Sequence, residues 1–437
     1  MASGENTISI PLRNAWRFRW SALGKQDPAS RVLSGSLIML LGSTMVAGLN
    51  FAFNIVMARL LGPALFSQAA AMVTLLMLIS CISLSFQLVC AKFVARNETT
   101  KAKSFVYSGM RTQAWLVGLA VGVVLALGSF PISTYLRMPN VWLLIVLAVG
   151  MAFYIPLGAK RGNLQGQCNF GALSRNYILE AASKLAIAIV LVELGYGVMG
   201  AVGAISASIF AAVVIAGKGS KAQGECGVVV PASFREGMQA IVFFVGQVVI
   251  NNIDIILVKH FFTSEQAGIY AAIALVGRVL YFAAWSIVSA MFPISAAAKG
   301  EEHNRKHVLF LPLLIVLVLA TVFILILALF PGVIIHIIFG EGFRSTWAEP
   351  LLSLYAVATG LYALSVVLMT YEMSRKIANT GWLQLLFSGA LVFLIYLFHS
   401  NLRQVIVVQI ALMAAMLLIV SLPFLRSIQS LRWKEVA

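Results

Sequence analysis

The chain has 437 residues, of which 61% are hydrophobic and 11% charged, with a formal net charge of +16. An ordinary soluble domain carries about 25% charge, and a chain this apolar has too few polar groups to cover its own surface, so a soluble enzyme is excluded. The basic excess would admit a nucleic-acid partner, but its distribution along the chain assigns it to membrane topology and anionic lipid instead.

Residues 1–31 form a basic N-terminal segment. Trp16, Arg17, Phe18, Arg19 and Trp20 mix aromatic and basic side chains, which suits either an interfacial segment or a solvated basic tail. No continuous apolar core precedes residue 36, so the segment is not read as a signal peptide. A crossing helix needs about 20 apolar residues. Such runs fall at 33–58, 65–90, 108–130, 141–159, 175–193 and 197–217. After a polar 218–236 linker they continue at 238–258, 266–292, 308–330, 349–370, 380–398 and 404–424, and a tail follows from 426 to 437. The fold expected is an all-α membrane protein of about 12 transmembrane helices. The stretch 333–339 is apolar but too short to span and reads as a re-entrant or interfacial piece.

With both ends on the cytoplasmic side, the inner segments hold 24 Lys and Arg residues and the outer ones 5, as the positive-inside rule requires. The four cysteines have no CxxC spacing and the five histidines no metal-ligand spacing, so no metal or cofactor site is expected. No Walker-type glycine loop occurs. A catalytic role is not expected either, because no long external loop is available to hold one.

The two halves share a register. Asn54-Ile55-x-x-x-Arg59 matches Asp254-Ile255-x-x-x-Lys259, and the Leu125-to-Pro131 pattern ending in Phe-Pro matches Leu325 to Pro331, both at an offset of 200. A duplication of six spans implies two six-helix bundles, 32–217 and 237–425, related by a pseudo-two-fold along the membrane normal.

Charges at membrane depth are costly and usually paired or functional. Arg278 lies mid-span with no acid within a turn, and reads as an anion-binding group or as a partner of carbonyls or of Asp254. Lys184 follows Glu180 by four residues, a spacing that either neutralises the pair or leaves Lys184 facing a cavity. Asp254, Asn251 and Asn54 offer oxygens for ion binding or gating, or for interhelical hydrogen bonds. Arg59 and Lys259 flank the outer ends of spans one and seven, as substrate contacts or as snorkelling cations. Gly200, Ala204, Ser208 and Ala212 form a small-residue packing face. Pro156, Pro293 and Pro312 are candidate kinks.

The run Arg59-Leu-Leu-Gly-Pro-Ala-Leu-Phe resembles the R-x-L-G-P-x-x-F/Y-G signature of polysaccharide and O-antigen flippases, with Ser67 in place of the final Gly. Asp254-Ile-Ile-Leu-Val-Lys, Ala267-Gly-Ile-Tyr-Ala-Ala and Met291-Phe-Pro are similar to the seventh and eighth spans of the same family, part of the multidrug/oligosaccharidyl-lipid/polysaccharide exporter superfamily. The resemblance implies a bacterial cytoplasmic-membrane flippase. Such a protein moves an undecaprenyl-pyrophosphate-linked oligosaccharide outward by alternating access. Its partners would be membrane lipids, a coupling cation (Na+ or H+) and polysaccharide polymerase machinery. Relatives can carry a sodium site formed by an acid in the seventh span with partners in the eleventh; Asp254 matches the first, but the eleventh span offers Gln384 and Ser388 and no acid. The alternatives are an ion-coupled exporter of cationic compounds, which should line its cavity with acids, and a polysaccharide polymerase or ligase.

Overall fold

The computed structural model describes residues 28–216, 238–297, 302–375 and 381–436. The linker and most of the N-terminal segment expected from the sequence lie outside these residues. Every described element is helical, because in hydrocarbon each backbone N–H and C=O must find its partner within its own helix. The order is α1 (Pro28–Arg96), α2 (Thr100–Leu127), α3 (Ser129–Tyr135), α4 (Trp142–Gly166), α5 (Phe170–Leu191) and α6 (Gly197–Ile215). After the linker come α7 (Met238–Phe261), α8 (Ser264–Ala297), α9 (Glu302–Leu329), α10 (Pro331–Phe339), α11 (Glu349–Arg375), α12 (Gly381–Leu397) and α13 (Leu402–Val436). Helix therefore occupies each of the apolar runs, and α13 continues through the expected tail.

Eight stretches among the described residues are long and apolar enough to cross a membrane, and α12 contributes a shorter apolar helix. Two of the eight are interrupted. In α1 the break is Gly62, at φ 70° and ψ 170°, a region essentially closed to side chains with a Cβ. Pro63 then opens the second arm, where its missing N–H costs nothing. Gly62→Ala is expected to cost about 1–3 kcal/mol of stability, measured as earlier thermal aggregation of the detergent-solubilised protein; an unchanged midpoint would sink this account of the signature's glycine. The second interruption, between α5 and α6, is the turn Val192–Tyr196, with Gly195 at φ 89°.

Side-chain caps close several helix starts. Thr99 accepts from Ala102 N–H at 3.2 Å and Asn169 from Ala172 N–H at 3.2 Å. Asn401 and Gln404 cap reciprocally, Gln404 N–H donating to Asn401 Oδ1 and Ser400 N–H to Gln404 Oε1, both at 2.8 Å.

Packing follows small residues and apolar faces. The four-residue stripe of α6 is buried as expected, and the Cα of Gly162 in α4 sits where a Cβ would strike Gln87 of α1. Large apolar side chains on α2 and α9, among them Leu119, Val124, Leu127, Val318 and Leu325, stay more than half exposed. Such an apolar outer surface is that of a lipid-facing protein. In the N-terminal part α1 packs on α4 and α5, and α2 on α4; in the C-terminal part α7 packs on α12, α8 on α11, and α9 on α11. Both Phe-Pro pairs fall where a long helix gives way to a short one, α2 to α3 and α9 to α10. The 333–339 stretch lies within α10 and buries Ile335 and Phe339.

Candidate functional site

The charged candidates named above collect in three places among the described residues. The first is inside the C-terminal part. Asp254 of α7 is 1% exposed, and both of its oxygens are engaged. Arg278 of α8 donates from Nη2 to Asp254 Oδ1 at 2.8 Å. The phenols of Tyr270 and Tyr355 donate to Oδ2 at 2.9 and 2.8 Å. Gln409 of α13 donates to the Tyr270 hydroxyl at 2.7 Å, and Arg278 Nη1 reaches Asn252 Oδ1 at 3.3 Å. Arg278 and Asp254, separate candidates in the sequence, thus neutralise each other, which is the structural reading of Arg278 weighed above. Each oxygen of the acid thus already accepts at least one hydrogen bond in this arrangement.

The second place is inside the N-terminal part. Glu180 does not pair with Lys184, its neighbour one turn on. Arg161 of α4, 2% exposed, takes Glu180 at 2.5 Å and Asn176 at 2.8 Å, while its guanidinium lies 3.9 Å from the Tyr177 ring centroid. A guanidinium offers five donors in a planar fork and stacks on aromatics, so it outcompetes the lysine for this carboxylate. Lys184 is left with Asn50 Oδ1 as its hydrogen-bond acceptor and the Phe53 ring at 5.0 Å. It is 9% exposed. An ammonium group is therefore held between α5 and α1 with neutral partners, an amide oxygen and a ring face.

The third place is the seam between the two parts, at the end where the first arm of α1 and α7 finish. Arg59 donates to the carbonyls of Ile337 and Ile338, capping the last turn of α10 in the way basic side chains do. Lys259, 1% exposed, donates across the seam to Ser67 Oγ at 2.9 Å and within its own part to Ser264 Oγ at 2.8 Å. His260 Nδ1 meets the Tyr135 carbonyl of α3 at 2.7 Å, and its ring stacks on Tyr135 at 3.9 Å. Tyr135 and Tyr396 hydroxyls are bonded to each other. Arg59 thus reaches the short helix of the C-terminal part, and His260, beside its register mate Lys259, reaches the short helix of the N-terminal part. Ser67, the departure from the family signature, supplies a hydroxyl where glycine would have none.

Asn54 and Asn251 turn back on their own helices, bonding Asn50 O and Gln247 O at 2.8 Å each. Arg161 carries no signal of depth in the sequence, because it follows Lys160 beyond the end of the expected 141–159 run. Tyr355 and Gln409 were also missed. Gln409 had a usable signal, a lone amide in the apolar run from Val405 to Leu418.

A family model described as "Polysaccharide biosynthesis protein" matches residues 32–299. The chain belongs to that family. Its fold is shared with solved transporters of the MOP superfamily. An inward-facing multidrug resistance MATE family transporter is 14% identical, with a TM-score of 0.71, over 88% of this chain and 94% of that one. An outward-facing multidrug resistance MATE family transporter is also 14% identical, with a TM-score of 0.62, over 93% and 97%. A MOP superfamily transporter from Pyrococcus furiosus, described by a binding pocket of reverse polarity that suggests a different function, is 14% identical, with a TM-score of 0.59, over 93% and 97%. No curated protein matches. This polysaccharide biosynthesis family member thus combines several helices long and apolar enough to cross a membrane with the fold of those solved transporters, and its polar side chains concentrate inside its two parts and along the seam between them.

Proposed function

We propose that the protein is a flippase that carries an undecaprenyl-pyrophosphate-linked oligosaccharide from the cytoplasmic leaflet to the outer one. Its twelve spans form two six-helix bundles that alternate access, with both termini in the cytoplasm of a bacterial cell. The observation that carries this reading is the pair of buried ammonium groups, Lys184 and Lys259, whose hydrogen-bond partners are neutral oxygens. A pyrophosphate diester carries about two negative charges and needs cationic partners at membrane depth. Lys184 lies mid-span and would take the pyrophosphate there. Lys259 lies at the outer seam and would take it on the way out. The lipid tail stays in the bilayer.

Arg278 and Asp254 then serve as a paired strut rather than as binding groups, and Arg59 as a clamp on α10. An exporter of cationic compounds needs an acid free to receive them. Glu180 and Asp254 are both occupied by arginines, so that alternative would have to use Glu372 at the end of α11, which is buried with an unpartnered Oε1.

Lys184→Met keeps the aliphatic stem and removes the charge. Export of lipid-linked polysaccharide in a strain depending on this protein is expected to fall at least tenfold, with insertion and thermal stability unchanged, because Lys184 has no acid to strand. Lys184→Arg should retain part of the activity. Full export by the methionine variant would remove Lys184 from the pathway.

A further inference from the structure

Buried polar groups without partners are rare enough to need a reason. Gln384 of α12 is fully buried, its Nε2 donates to Tyr362 OH at 3.1 Å, and its Oε1 has no partner. It sits in a cluster of distinct chemistry. On α8, Arg278, Tyr281 and Trp285 recur at helical spacing, so they share one face. The face becomes more open away from the seam, Arg278 being buried and Tyr281 and Trp285 half-buried. Tyr281 lies 5.6 Å from Tyr362 and 6.4 Å from Trp285, ring centroid to centroid, with the planes tilted by 34° and 31°. Gln247 of α7 donates to the Tyr281 hydroxyl at 2.5 Å, and Asn251, one turn on, is half-buried.

The cluster therefore presents three aromatic rings and three primary amides, and none of these six side chains is ionisable near neutral pH. Its repeat-related counterpart differs in kind. The 200-residue register pairs Gln384 with Lys184, and both occupy helices packed on the first helix of their part, α12 on α7 and α5 on α1. One part holds a bare cation at this position; the other holds an amide beside aromatic rings. Neutral rings and amides match a pyranose, whose C–H face packs on aromatic faces and whose hydroxyls pair with amide donors and acceptors.

We infer that Gln247, Asn251, Tyr281, Trp285, Tyr362 and Gln384 form a saccharide subsite inside the C-terminal bundle, separate from the pyrophosphate contact at Lys184. The subsite rests on the flippase reading and assigns the two chemical moieties of the substrate to different bundles. The unpaired Oε1 of Gln384 then accepts from a sugar hydroxyl. Trp285 lies about 10 Å along α8 from Arg278, on the side away from the seam, where a substrate entering from the cytoplasm arrives.

The test uses the full-length protein in nanodiscs, titrated with undecaprenyl pyrophosphate and with the same lipid bearing one N-acetylhexosamine. The wild type should bind the sugar-bearing lipid about tenfold more tightly, the worth of one or two good hydrogen bonds and a ring contact. Trp285→Ala and Gln384→Leu should each reduce that preference severalfold while leaving affinity for the bare lipid unchanged, and Trp285→Phe should keep most of it. Lys184→Met should weaken both lipids alike. Equal binding of the two lipids by the wild type, or an intact preference in the well-folded Trp285→Ala protein, overturns the subsite alone. Failure of either lipid to bind overturns the flippase reading and the subsite with it.

Discussion

Arg278→Ala is expected to destabilise the protein by about 3–5 kcal/mol, because it strands the Asp254 carboxylate in the interior. Asp254 keeps three neutral neighbours, Tyr270, Tyr355 and Gln409, but loses its only ionic partner among the described residues. The paired variant Arg278→Ala, Asp254→Asn should recover much of the loss, since an amide needs no counterion and the tyrosines can still bond its oxygen. Thermal unfolding of the four proteins of this double-mutant cycle measures the coupling directly. A single variant as stable as the wild type would contradict the strut. This outcome also separates two roles for Arg278. A substrate-binding arginine would lose transport and keep stability, whereas a strut loses stability first.

Gly268→Ala should hold the seam apart. Gly268 of α8 lies directly against Pro63 at the start of the second arm of α1, and an added Cβ would overlap the Pro63 carbonyl. The obstruction is backbone, which cannot swing aside as a side chain does. Overpacking of this kind costs about 1–3 kcal/mol, enough to shift a two-state equilibrium about 5- to 150-fold. The cost falls on the closed seam alone, so insertion and folding within each part should survive. A cysteine placed by Ser67→Cys reports on the seam, because position 67 is buried when the seam is closed. Its labelling by a membrane-impermeant thiol reagent should accelerate by that factor in the Gly268→Ala background, while export falls. An unchanged labelling rate would show that the two parts can separate or shift around this contact without cost.

Much of the architecture is legible in the sequence because the bilayer is such a restrictive solvent. A run of about 20 apolar residues has few options other than a helix. Even the short 333–339 stretch announces itself as too short to cross. The Gly62-Pro63 break is legible as well, since glycine followed by proline serves both a backbone that cannot be helical and the start of the next helix.

The candidate site is only half legible. Lys184, Lys259, Asp254 and Arg278 stand out because each is a charge in an apolar run. What each touches does not follow from one-dimensional spacing. Glu180 and Lys184 are four residues apart on one helix, yet the carboxylate bonds Arg161 from another helix, since a buried carboxylate goes to the donor of best geometry. Asp254 and Arg278 lie on successive helices and meet only because α7 and α8 are antiparallel neighbours around Tyr270. The hydroxyl partners of Lys259 were hidden because serines in membrane helices ordinarily bond their own backbone, as Ser85 does with Cys81 O at 2.7 Å.

The Asp254–Arg278 bridge also bears on how the protein responds to voltage. Moving one elementary charge through the membrane field is worth about 2.3 kcal/mol per 100 mV. A carboxylate and a guanidinium locked 2.8 Å apart move as a dipole with no net charge, so this pair adds no gating charge to a motion of the C-terminal part. Arg161 and Glu180 cancel in the same way. The interior lysine between α5 and α1 does not cancel until an anion reaches it. In the flippase reading, the empty carrier thus feels the field through Lys184 and Lys259, and the roughly two negative charges of a bound pyrophosphate offset them, so the potential acts on the empty form far more than on the loaded one.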